Sequence, residues 1–348
     1  MLKELFEYAA INGKVHAMLG NRLDQADFNK MMTMQTVPEI AAFLSTTKAW
    51  GPCLRGTDLE EVRRAELEKR LRLGLESEYA RLAVFASKGM RELLRALAGK
   101  AEAGELLRFL RFLSAGHPAD FAVSLPGDLL GRSRIRFDLL GQTPDYQGLL
   151  QAVAGTIYEK PLQKAAPADG AAFDYPAAET AVQSAYFRAI LDGVARGFSG
   201  KDRRDLEDYF LEQCDFDNIV RIIRLKKHFS VEHEEVVRYL LPYSGKLKGG
   251  FLKDLTNAAS LEDAMQLLRA GPYGKIFQQA DHQDIEEYAF AFFRSSRLLI
   301  RQGRPSAFTA VVYLDVKETE LKNIVNVIEC VRYQVPASRI PTYLAPVY

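Results

Sequence analysis

The residues best placed by type and spacing to do chemistry are polar side chains at steps of three: Asn218, Arg221 and Arg224, then Asn323, Asn326 and Glu329. On a helix such a set forms a stripe of amide and guanidinium groups, closed in the second set by the Glu329 carboxylate. These bind carboxylates or backbone, but they offer neither a nucleophile nor a proton near neutral pH. Cys214 beside Asp215 is a thiol without a histidine at helical range to activate it. Cys214 and Cys330 therefore read as packing residues. His228 and His233, five apart, do not share a helical face, and no Cys or acid cluster completes a metal set around them. Residues 195–202, Ala-Arg-Gly-Phe-Ser-Gly-Lys-Asp, have the outline of a phosphate loop. However, Ala195 stands where glycine is needed and Asp202 where a Mg²⁺-binding hydroxyl belongs. There is no Gly-x-Ser-x-Gly elbow, and Glu234–Glu235 and Glu286–Glu287 read as surface charge. The expectation is a non-enzyme with no cofactor and no metal.

The stripe is written three times. Asp215-Phe-Asp-Asn218-Ile-Val-Arg221-Ile-Ile-Arg224 matches Glu320-Leu-Lys-Asn323-Ile-Val-Asn326-Val-Ile-Glu329, and more weakly Glu102-Ala-Gly-Glu105-Leu-Leu-Arg108-Phe-Leu-Arg111. With 3.6 residues per turn, Ile219, Ile222 and Ile223 share one face and Asn218, Arg221 and Arg224 another. An acid in the first turn suits the positive end of the helix dipole. Each copy reads as a helix with an apolar core side and a polar stripe that either lines a cavity or faces solvent. A fold-length internal repeat outranks single motifs as a clue to architecture.

Other elements recur with it. Short helices are expected over 39–50, 147–158 and 262–273, each stepping eleven residues to an aromatic: Trp50, Tyr158 or Tyr273. Thr36-Val-Pro38-Glu39 is a helix start and Gly51-Pro52 a stop. Long amphipathic helices are expected over 58–98, 177–197 and 283–302, with Gly74 and Gly89 as weak points in the first. Residues 3–24 read as a further helix, and 116–144 as irregular or short-helical. The one strand-like run, Phe308 to Leu314, is read as helix because the chain must enter the Glu320 helix smoothly. The fold class is all-α.

Repeat phase then sets the organisation. One unit is split between the termini, 1–55 with 278–348; a second covers 56–162 and a third 175–277, with an Ala/Pro/Gly-rich linker at 163–174. Three similar helical units in a permuted order predict a closed, funnel-like array about a pseudo-threefold axis. An open helical-repeat scaffold is the alternative, and would leave the termini well separated.

Composition limits the partners. The chain has 348 residues, a net charge of +1, 48% hydrophobic and 26% charged residues, which is ordinary for a globular protein. No stretch interleaves dense Lys/Arg with aromatics, so nucleic acid is not expected. Three scattered cysteines argue against a disulfide framework and fit a reducing compartment. The start, Met1-Leu-Lys-Glu-Leu-Phe-Glu, lacks the pattern of a signal peptide. No window is apolar enough to span a membrane, so membrane association would go through a partner.

Taken together, these stretches resemble the C-subunit family of the V/A-type ATPases, the counterpart of the d-subunit family of the eukaryotic vacuolar proton pump. Tyr313-Leu-Asp-Val-Lys317-Glu318-Thr-Glu320-Leu-Lys-Asn323-Ile is similar to that family's terminal Lys-Glu-x-Glu-x-x-Asn-Ile segment. Asp215-x-x-Asn218-Ile-Val-x-Ile-Ile-Arg224-x-Lys226 is similar to its mid-chain element. Tyr8–Leu19 followed by Thr36-x-x-Glu39-x-x-x-x-Leu44-x-x-Thr47 looks like its opening. The departures are Gly13-Lys14-Val15-His16 in place of an Ala-Arg-x-Arg stretch, Asn326 where basic or polar residues are usual, and Glu105 in place of Asn. The resemblance implies a non-catalytic central-stalk rotor component on the cytoplasmic face of the membrane. It would seat on the proteolipid ring, receive the central shaft, and transmit torque for ATP-linked H⁺ or Na⁺ transport. Asn218, Arg221, Arg224, Asn323 and Asn326 are then the candidate shaft contacts.

Overall fold

A computed structural model describes residues 2–125, 127–142, 145–168, 173–228, 233–278 and 306–345. All regular structure among them is helical, as expected. The chain divides into two compact units, residues 1–94 with 292–348, and residues 95–291.

The first unit contains α1 (Leu2–Leu19), α2 (Gln25–Met32), α3 (Val37–Thr46), the single turn α4 (Gly51–Leu54) and α5 (Arg64–Ala83). The helix α6 (Lys88–Ser114) begins in this unit and continues into the second. Local chemistry explains several starts. Asp24 and Asp27 form a reciprocal capping box at α2, and the Thr36 hydroxyl accepts the Glu39 N–H at α3. The 58–98 stretch is two helices, broken at residues 84–87 and not at either glycine. Gly74 stays helical because its missing side chain makes room for Cys53: a Cβ there would lie 2.9 Å from the Cys53 Sγ. Gly51-Pro52 does not simply stop α3, which already ends at Thr46; it opens α4, with proline in the first turn where no N–H is required.

The second unit holds α7 (Gly127–Arg132), α8 (Phe137–Gln142), α9 (Tyr146–Ala152), α10 (Glu159–Lys164), α11 (Tyr175–Gly197) and α12 (Gly200–His228). It continues with α13 (His233–Arg238), α14 (Gly250–Asn257), α15 (Leu261–Ala270) and α16 (Gly274–Phe277). The 39–50, 147–158 and 262–273 segments share one form: a short helix, a turn, and an aromatic that heads the next helical turn. Trp50, Tyr158 and Tyr273 precede α4, α10 and α16, and all three are buried. The close fit recurs too. A Cβ on Gly51 would sit 2.4 Å from the Ser45 carbonyl oxygen, and one on Gly274 would sit 2.3 Å from that of Arg269.

The final helix, α17 (Ala307–Arg332), belongs to the first unit. Phe308–Leu314 is its first part and is buried all round, which is why its sequence lacks a helical period and looks strand-like. Ile324, Val327 and Ile328 join Phe28, Ile40, Leu44, Trp50, Leu67 and Leu71 in one core. N-terminal and C-terminal segments thus build a single core. The three striped segments are the C-terminal halves of α6, α12 and α17, of 27, 29 and 26 residues. The expected 283–302 helix lies outside the described residues, as does part of the 163–174 linker.

Candidate functional site

The stripes do one repeated job: each clasps the chain that follows its own helix. On α12, Asn218 is buried and pairs with both backbone groups of Leu241, accepting its N–H at 2.7 Å and donating to its C=O at 3.1 Å. On α17, Asn323 does the same to Ala345, with both bonds at 2.8 Å. On α6, Glu105 accepts the Ser124 N–H at 2.7 Å and the Ser124 hydroxyl at 2.8 Å. The next stripe residue then donates to the carbonyl two places ahead of the clasped one. Arg221 Nη1 reaches Tyr239 at 2.9 Å, Asn326 Nδ2 reaches Tyr343 at 2.7 Å, and Arg108 bonds the Ala122 carbonyl. Asparagine suits the inner position because a single amide both donates and accepts.

The first stripe residue meets the recurrent aromatic. Glu320 Oε1 accepts the Trp50 Nε1–H at 2.6 Å across a sequence separation of 270 residues. The Lys317 ammonium sits 2.6 Å from the same oxygen and 4.0 Å above the Trp50 ring. Asp215 accepts the Tyr273 hydroxyl at 2.7 Å, the backbone N–H groups of Gly245, Lys246 and Leu247, and the Ser244 hydroxyl. Its full burial is tolerable only because five donors replace water. Burial and the neighbouring Asp215 together push the Tyr273 phenol far above its usual range. In the third copy Tyr158 is raised by burial and then by Glu102. The two sequence repeats, stripe and aromatic, are therefore two halves of one joint.

Chemistry beyond structure is not provided by the thiols. Burial lifts Cys53 to about 11, and lifts Cys214 further with help from Asp217 and Asp215, so both are protonated at neutral pH. His233 Nδ1 lies 2.8 Å from the Thr256 hydroxyl, away from any acid cluster. Among the described residues no group of His, Cys, Asp and Glu could hold a metal ion, and no helix is long and apolar enough to cross a membrane.

The outer end of the α12 stripe differs from its inner part. Arg224 is exposed, whereas Arg221 also bonds the Thr180 hydroxyl at 2.8 Å and the Gln183 side chain. Asp217 keeps solvent access on α12 of the second unit, among charged groups of α6, α11 and α12. Loss of water raises its carboxyl from 3.8 to about 6. Arg221 and Lys100 oppose the rise, Glu179 adds to it, and Arg224 opposes it. On the α6 side Arg111 Nε donates to the Tyr175 hydroxyl at 3.1 Å, and that hydroxyl lies 3.3 Å from Glu179. A wet belt of mixed charge thus joins α6, α11 and α12.

The five residues expected to form one contact stripe are therefore split. Asn218 and Asn323 are buried, with both amide atoms engaged by their own chain; neither a cavity lining nor a solvent face describes them. Arg221 and Asn326 hold backbone. Arg224 alone of the five is exposed. Lys226, from the mid-chain motif, donates to the Thr256 carbonyl at 2.9 Å and to that of Ala258, covering the negative end of α14. Sequence reading missed Lys100, Asp217 and Glu179 as partners of the stripe.

The chain can now be set beside known proteins. It is 21% identical over 335 residues to the A-type ATP synthase C-subunit of Methanothermobacter thermautotrophicus, covering 92% of this chain and 83% of the relative. It is likewise 21% identical over 338 residues to the A-type ATP synthase C-subunit of Methanosphaera stadtmanae, covering 93% and 83%. The family match runs over residues 11–343, through all three striped helices and the aromatics they hold, and the chain belongs to the ATP synthase (C/AC39) subunit family.

Proposed function

We propose that this chain is a non-catalytic central-stalk subunit of a rotary V/A-type ATPase. Three helical units form a closed funnel that sits on the cytoplasmic side of a proteolipid ring and receives the end of the central shaft. Its work is mechanical: torque passes through it between ATP chemistry in the soluble head and ion movement at the ring. The observation that carries this reading is the family match over nearly the whole chain, supported by the names of two archaeal relatives. The clasps suit the task, since charge-assisted bonds to backbone stiffen the turns that a rotor must not let yield. Within this reading shaft contact falls to Arg224, with Lys100 and Arg111 of α6. Asn218, Asn323, Arg221 and Asn326 hold the segments around it.

An open helical-repeat scaffold is the second reading. The Trp50–Glu320 bond speaks against it, because it joins early and late segments in one core. The experiment is affinity purification of the tagged chain from native membranes, followed by measurement of coupled ion transport in its absence. Recovery with shaft and ring subunits is expected, along with loss of transport while the detached head still hydrolyses ATP. Recovery as a lone monomer overturns the proposal.

A further inference from the structure

At the corner between α5 and α6 two adjacent apolar side chains face water: Val84 is 75% exposed and Phe85 42%. The corner is firmly built. The Phe85 N–H bonds the Leu82 carbonyl, the Ser87 hydroxyl accepts the Met90 N–H, and Leu82, Ala86 and Met90 are buried beneath. Exposure is not inherent to such a corner, because the equivalent turn between α11 and α12 buries its aromatic, Phe198. Charge separates the two corners as well. Between Glu78 and Glu92 the chain carries Arg81, Lys88 and Arg91 and no acid, whereas the other corner, basic as well through Arg196, Lys201, Arg203 and Arg204, also holds Asp192 and Asp202. From α1, the Lys14 ammonium lies 5.9 Å from the Phe85 ring centre. Arg81 has Glu78 at 3.1 Å, but Glu78 is buried and also accepts the Tyr313 hydroxyl.

We propose that this tip docks on an anionic lipid surface, with Val84 and Phe85 entering the headgroup boundary and Lys14, Lys88 and Arg91 meeting lipid phosphates and carboxylates. An apolar wedge ringed by cations is the combination that interfacial binding uses, since area and charge attraction add. A preformed corner held by two helices loses little freedom on docking. The inference rests on the tip's own chemistry, and its failure would leave the family reading intact.

The test is co-flotation of the full chain with phosphatidylcholine vesicles, with and without phosphatidylserine. Flotation is expected on the anionic vesicles only and should be reversed by high salt. Val84→Ser with Phe85→Ser should lower binding on the order of tenfold, as should Lys14→Glu with Lys88→Glu, at unchanged thermal stability. Ile157→Ser, which removes an apolar side chain 51% exposed in the second unit, should leave binding unchanged. Absence of flotation, flotation of both double variants at the wild-type level, or flotation only on vesicles carrying a proteolipid ring overturns the proposal.

Discussion

On α12 the inner stripe residue is Asn218, and one amide holds both backbone groups of Leu241. On α6 the same position is Glu105, which can only accept: it holds the Ser124 N–H and hydroxyl but cannot donate to the Ser124 carbonyl, while the bond that Arg221 makes is repeated by Arg108. That guanidinium grips Glu105 at 2.6 Å and also bonds the Ala122 carbonyl. One turn earlier the contrast is sharper: Asp215 is fully buried under five donors, while Glu102 is half-buried beside Tyr158. Both helices hold the following chain in the same place relative to the stripe. What repeats is the bond from the clasped N–H and the bond to the carbonyl two places before it; the bond to the clasped carbonyl is made by Asn218 and Asn323, and a carboxylate cannot make it. It follows that the α12 joint is sealed from water and intolerant, while the α6 joint is wetter and forgiving.

Removing the first stripe residue should separate the two joints most. Asp215→Ala strands a tyrosine hydroxyl and three backbone N–H groups in a dry site, and is expected to cost about 4 kcal/mol. Glu102→Ala should cost under about 1 kcal/mol. Denaturant unfolding of the full chain measures both, and equal losses would erase the distinction. A smaller difference is expected one turn on. Asn218→Asp turns a donor into an acceptor against the Leu241 carbonyl, at about 2–3 kcal/mol, and should speed hydrogen exchange at the Leu241 amide. Glu105→Gln keeps an acceptor for Ser124 and should cost about 1 kcal/mol.

The smallest effect is electrostatic and belongs to Asp217. Asp217 has a folded-state pKa of about 6 against an ordinary 3.8, so the folded protein binds this proton more tightly than the unfolded chain. Its contribution to stability is therefore most favourable below pH 3.8, declines as pH rises towards 6, and is flat above. Asp217→Asn should remove that decline from the stability profile between pH 4 and 6. A profile identical to wild type would mean that Asp217 titrates as an ordinary surface acid.

Much of this was legible in the sequence, for identifiable reasons. Helical period exposed the apolar faces of Ile219, Ile222 and Ile223 because their burial is one-sided; all three are in the core. The eleven-residue step to an aromatic marked Trp50, Tyr158 and Tyr273, although not that two of them donate to the stripe acids. The permuted phase pointed to early and late segments completing one another; what the structure adds is that Trp50 bonds Glu320 beside a core to which both segments contribute. The purpose of the stripe was not legible. Polar residues at steps of three look alike whether they face solvent, a partner or their own loop, and the clasped segments show no repeat of residue type: Ser124, Leu241 and Ala345 are held through their backbone, with the Ser124 hydroxyl as the one side-chain addition. Arg221 shows the consequence. Read as a contact residue, it should be replaceable without harm; bonded to Tyr239, Thr180 and Gln183, it should not be.

The division of the stripe into an inner clasp and an outer contact is tested most directly by one comparison: the affinity of the purified chain for the shaft subcomplex, and its melting temperature, in Arg224→Glu. The account predicts at least about tenfold weaker binding with an unchanged melting temperature. Undiminished binding by Arg224→Glu would contradict it, and would leave the stripe with no role beyond holding its own chain.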